Sequence, residues 1–145
     1  KIRVVAVGAV KPRALRELCD EYLGRVRHYC RCDEIELEAG GGNKLVTAFR
    51  RASEGANVVA LAEHGQALSS RELARQLERL ASHGKGELAL LIGGADGLPA
   101  EIVSEAGASW SLSRLTFPHR LARLILYEQL YRAMTILRGE PYDRP

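Results

Sequence analysis

Two segments in the last third of the chain carry the residues best suited to chemistry. Leu88 to Gly97 (LALLIGGADG) reads as an apolar strand running into a glycine-rich turn, and Ser111 to His119 (SLSRLTFPH) brings hydroxyls, a proline and a histidine to the start of a long helix, Arg120 to Arg138. Glycines at the end of a buried strand let a ligand approach bare backbone, because no Cβ intervenes. Two strand ends close in sequence are what an open α/β sheet needs to form a crevice at its carboxyl edge. Together they predict a site for a flat, nucleoside-like ligand; Gly93, Gly94 and Gly97 taken alone read better as a tight turn.

Other chemistries find little support. Cys19, Cys30 and Cys32 are an odd number without metal-ligand spacing, so reduced thiols in or near a core are expected rather than zinc or redox chemistry. Asp96 is a single carboxylate in a glycine loop, which turn chemistry explains better than magnesium. The chain has neither a Gly-x-Ser-x-Gly nucleophile turn nor the glycine-lysine loop that cradles a nucleotide phosphate. No metal is expected.

These segments need a scaffold, and 145 residues with 46% hydrophobic and 27% charged content suit one soluble domain, residues 1–145, with a single core. Nothing resembles a signal peptide or a membrane span, so a cytoplasmic protein is expected. The chain begins at Lys1, so an initiator or short leader is expected before it. Strands are predicted at 2–7, 33–39, 57–62, 87–92 and 108–112, with the acidic alternation of Glu34, Glu36 and Glu38 marking an edge. Helices are predicted from Pro12, over 44–54 after a flexible loop at 40–43, from the Ser69–Glu72 cap to near Gly84, over 99–106, and over 120–138. This alternation argues a three-layer α/β fold with a mostly parallel sheet, and pattern alone would draw it as a doubly wound, Rossmann-like one. The net charge of +3 lies in one place: from Arg114 onward six arginines face three acids. Arginine suits phosphate contact and base stacking, although ordinary ion pairs use it too. The last helix is apolar on more than one face, so it is either a thoroughly buried core helix or one covered by the sheet on one side and a second subunit on the other.

Four segments in order carry a resemblance: Ile92-Gly93-Gly94-x-x-Gly97, Leu112-Ser113-x-Leu115-Thr116-Phe117-Pro118-His119, Glu128-Gln129-x-Tyr131-Arg132-Ala133, and Gly139-Glu140-Pro141-Tyr142. The chain resembles, over its whole length, the large-subunit rRNA pseudouridine N3-methyltransferases, small members of the SPOUT class. The resemblance implies a deep C-terminal trefoil knot in place of the Rossmann-like drawing, S-adenosyl-L-methionine as cofactor, and an obligate homodimer through the C-terminal helix. Carried over by position, Leu61, Gly93, Gly94, Ser113, Arg114, Leu115, Thr116, Phe117 and Pro118 would bind the cofactor, largely through backbone. Tyr142 and His119 would be the catalytic candidates, and Arg123, Arg132 and Arg144 would contact large-subunit rRNA or the ribosome. His119 reads equally as a locally packed helix-terminus residue, and Glu128 more readily as an ion-pair partner of Arg132 than as a base. Tyr142-Asp143 stands where the family usually has Tyr-His, which puts the catalytic details in question more than the fold. Alternatives kept open are the same chemistry on another RNA such as tRNA, a ribosome-associated RNA-binding protein without turnover, and a generic nucleotide-binding protein.

Overall fold

The computed structural model describes residues 1–83 and 86–144. The strands are β1 (Ile2–Val7), β2 (Cys32–Leu37), β3 (Asn57–Ala67), β4 (Leu88–Ile92) and β5 (Ala108–Ser111). They form one sheet in the order β2-β1-β4-β3-β5, every ladder parallel. The apolar runs of β1 and β4 explain their central places, since a parallel strand covered on both faces must be apolar on both. The acidic β2 takes an edge, as its alternation predicts. The strand order departs from the Rossmann-like 3-2-1-4-5-6 drawing because β4 inserts between β1 and β3.

Helices cover both faces. Alternate residues of β1, β3 and β4 (Val4, Val59, Leu90) pack with α1 (Arg13–Arg27), α3 (Ser70–Ser82) and α5 (His119–Arg138). The other face, Val5, Ala89 and Leu91, packs with Val46 and Phe49 of α2 (Gly42–Ala52) and Ile102 of α4 (Ala100–Glu105). The capping box that opens α3 is complete: Glu72 N–H donates to Ser69 Oγ (3.1 Å) and Ser69 N–H to the Glu72 carboxylate (3.0 Å). The predicted end of this helix near Gly84 lies outside the described residues. α5 stops at left-handed Gly139 (φ 67°), whose N–H donates to Ile136 O while that of Glu140 donates to Thr135 O.

Two differences from the expected elements bear on the site. α2 starts at Gly42, so half of the expected glycine loop belongs to a helix. β3 runs on to Ala67, past its expected end at 62, because it resumes after an irregularity: Leu61 and Gln66 both pair with Trp110 of β5. Gly65 makes this possible, since a Cβ there would lie 2.7 Å from the backbone of Ser109 and Trp110.

Candidate functional site

The carboxyl ends of β3 and β5 open into two adjoining cavities of about 90 and 370 Å³, which share Leu61, Ser111, Leu112, Ser113 and Phe117. The larger falls within the range usual for small-molecule sites, roughly 300–1,000 Å³. Its apolar walls include Trp110 of β5 and Ile125 of α5, and its polar ones Ser69, Ser70 and Gln129. The smaller reaches Ile92 of β4 and, in the irregular stretch of β3, Ala62 and Glu63. The loop leaving β5 is shaped by its own hydroxyls. Ser111 Oγ donates to Ser113 O (2.8 Å), and Ser113 Oγ accepts from Leu115 N–H (2.9 Å). Leu61, Ser113, Leu115 and Phe117 all line the smaller cavity, whereas Arg114, Thr116 and Pro118 are exposed and line neither. Apolar walls beside hydroxyls and loop backbone suit a ligand with one flat apolar part and one polar part; among the described residues no group of three or more His, Cys, Asp or Glu is placed to hold a metal ion.

The glycine turn follows Ile92, at the edge of the smaller cavity. A Cβ on Gly93 would sit 2.3 Å from the Gly97 carbonyl carbon and 2.5 Å from Leu98 N, so glycine is needed there for the turn to close. Gly97 has φ 75°, and its N–H donates to Gly94 O (3.0 Å). Gly94 faces Val7 and lines a separate cavity of about 400 Å³ with the start of α2. Of β4 and its turn, only Ile92 lines the cleft.

His119, the first residue of α5, is half-buried; burial and the nearby Arg120 and Arg123 hold its imidazole below the ordinary value. The placing of Arg123 corrects its expected role as an RNA contact. It is 1% exposed and donates to Glu36 (2.5 Å), Gly8 O (2.7 Å) and Val7 O (3.3 Å), with Glu34 at 3.6 Å. The acids of β2 and the open carbonyls at the end of β1 need a buried cation, and Arg123 supplies it. Glu34 also accepts from the buried Tyr127 hydroxyl.

The tail folds back on α5. Tyr142 OH donates to Glu128 (2.8 Å), and burial, then this bond, push the phenol's pKa well up, so it stays protonated. Arg132 pairs with Glu128 (2.9 Å), as expected, and also with Asp143 (3.1 Å). Arg144 is exposed. The thiols are shielded: burial raises all three, Cys32 to about 12. Sequence reasoning missed Ser70, Trp110 and Gln129 as cleft residues. Gly65, a lone glycine in a strand pattern, was the available signal for the bend that places Trp110.

Comparison with known proteins bears on this geometry. The family described as "Predicted SPOUT methyltransferase" matches residues 1–143. The ribosomal RNA large subunit methyltransferase H of Sorangium cellulosum is 57% identical over 142 residues, 98% of each chain. The protein of that name in Acetivibrio thermocellus is 39% identical over 158 residues, 99% of each chain. A putative methylase family protein from Neisseria gonorrhoeae shares the fold at TM-score 0.62 and 11% identity, over 99% of this chain and 85% of that one. A putative methyltransferase from Legionella pneumophila, solved with the cofactor SAM, shares it at TM-score 0.52 and 12% identity, over 92% of this chain and 66% of that one.

Proposed function

The chain belongs to the SPOUT methyltransferase family, and from that premise we propose that it methylates N3 of a pseudouridine in large-subunit rRNA, with S-adenosyl-L-methionine as methyl donor. The observation that carries this reading is the cleft between β3, β5 and the Ser111–Phe117 loop, which joins the expected cofactor residues Leu61, Ser113, Leu115 and Phe117 in one place. Leu61 and Trp110 would flank the adenine, and loop backbone and serines would take the polar parts. When bound, S-adenosyl-L-methionine supplies an electrophilic methyl group on sulfur. The relatives named for rRNA large-subunit methylation cover nearly all of this chain, which supports the substrate class.

The chain's own residues position the nucleoside and take its proton. N3 of pseudouridine is an imide nitrogen that must lose its hydrogen before it can bond to carbon. His119 is the proposed acceptor: its lowered pKa leaves the imidazole neutral, with a free lone pair, at pH 7. Tyr142, kept protonated, serves as a donor and stacking surface rather than a base. In this proposal Gly93 and Gly94 shape the turn after Ile92, at the edge of the cleft, and the Ser113–Phe117 loop makes most of the cofactor contacts. RNA phosphates would be met by Arg144 and Arg132; the small net charge of +3 favours a folded ribosomal surface over free fragments.

On the same reading the protein is a cytoplasmic homodimer joined through α5, whose exposed Leu121, with Leu115 of the loop before it (44% and 73% exposed), would be covered. The knotted threading that the family resemblance implies belongs to the same proposal. The test is methylation of large ribosomal subunits from cells lacking the enzyme, followed by nucleoside mass spectrometry. N3-methylpseudouridine that depends on this protein is expected; a methyl group on another nucleoside would overturn the assignment.

A further inference from the structure

We infer that Gln129 is a positioning residue that couples the cofactor cleft to the C-terminal tail through a closed ring of polar contacts; this rests on reading the cleft as the cofactor site. Ser70 and Gln129 both line the larger cavity. Ser70 Oγ donates to Gln129 Oε1 (2.6 Å), and Gln129 Nε2 donates to Glu128 Oε1 (2.8 Å). The other carboxylate oxygen, Glu128 Oε2, accepts from Tyr142 OH (2.8 Å) and Arg132 (2.9 Å). Arg132 donates onward to Asp143 (3.1 Å), whose second oxygen lies 3.6 Å from Arg71, the neighbour of Ser70 in α3. The ring starts and ends at the first turn of α3, after passing through α5 and the tail.

Its members have little slack. Ser70 gives its one hydroxyl proton to Gln129 and can then only accept, and Gln129 gives one of its two amide protons to Glu128. A ligand's carboxylate or ammonium group at this end of the cleft must draw on the same atoms. Whatever it changes at Gln129 changes the donors left to Glu128, and through Glu128 the hold on Tyr142 and Arg132. Coupling of this kind is reciprocal, so the tail's contacts alter ligand affinity by the factor with which the ligand alters the tail. Asp143 completes the ring here by meeting two arginines, which a histidine in its place would repel when charged. The Arg71 leg is solvent-exposed and weak, so Gln129 and Glu128 carry most of the connection.

The test combines calorimetric titration of S-adenosyl-L-methionine with hydrogen exchange of residues 139–144, on wild type, Gln129→Leu, Asp143→Asn and the double variant. Cofactor is expected to slow tail exchange in the wild type and to leave it unchanged in Gln129→Leu. Asp143→Asn, outside the cleft, should weaken cofactor binding by about two- to fivefold, no more than its partly solvated contacts can transmit, and the double variant should be no weaker than Gln129→Leu alone. Cofactor binding without a change in tail exchange, or single effects that multiply in the double variant, would overturn the coupling alone. No cofactor binding to the folded wild type would overturn both the coupling and the cofactor reading beneath it.

Discussion

The turn after β4 and the loop after β5 carry the same kind of sequence signal, small and polar residues at a strand end, yet they do different work. At the turn, glycine is imposed from within: Gly93 has backbone 2.3 Å from where its Cβ would stand, and Gly97 holds a positive φ. At the loop, serine hydroxyls tie the backbone into a shape that leaves space beside it, and the cleft opens there. A strand-end motif thus points to a ligand only where the fold leaves space beside it. Arg123 and Arg132 differ in exposure in the same way one helix on: the first is buried against Glu36 and the end of β1, whereas the second, paired with Glu128 and Asp143, stays partly open to solvent at the tail.

That contrast can be broken by experiment. Arg123→Met should have the largest effect on stability, about 3–4 kcal/mol by chemical denaturation, because it takes the donor from the Val7 and Gly8 carbonyls and leaves Glu36 facing only the more distant Arg16 (3.6 Å). If Arg123 served RNA instead, the variant would fold normally and lose only ribosome affinity. Gly93→Ala should cost about 2–3 kcal/mol through overpacking against Gly97 and Leu98; a stable variant with lost cofactor affinity would return the turn to the binding site. On the loop side, His119 predicts an acid limb in the pH–rate profile. Its folded-state pKa lies below the ordinary 6.5, the neutral form is the active one, and so the rate should rise through a midpoint below pH 6.5 and level off above it. His119→Gln should remove that limb along with most of the rate. The smallest effect is expected from Asp143→Asn on stability, below about 1 kcal/mol, since its partners are partly solvated.

Much of this architecture was legible in the sequence. The apolar runs at 2–7 and 87–92 read as buried strands, the acids of β2 marked an edge, and Ser69–Glu72 wrote out its own cap. Strand order was not legible, because periodicity reports which faces are buried and not which strand lies beside which. Nor was the burial of Arg123: a lone arginine in an apolar helix reads the same whether its acids are on a neighbouring strand or on a ligand. The loop residues 113–117 were found through resemblance, whereas Gln129 and Ser70 face the cleft through a pairing between α3 and α5, 59 residues apart, that no local pattern encodes.

The most direct test of the central claim is calorimetric titration of S-adenosyl-L-methionine into wild type, Ser113→Trp and Gly94→Ala, each first shown to be folded by its thermal transition. Ser113 lines both cavities, whereas Gly94 faces Val7 and lines neither. Wild-type binding is expected, with a loss of at least about tenfold in Ser113→Trp, equivalent to about 1.4 kcal/mol, and near-wild-type affinity in Gly94→Ala. Unchanged binding by Ser113→Trp, with binding lost in a folded Gly94→Ala, would place the cofactor at the glycine turn and contradict the claim.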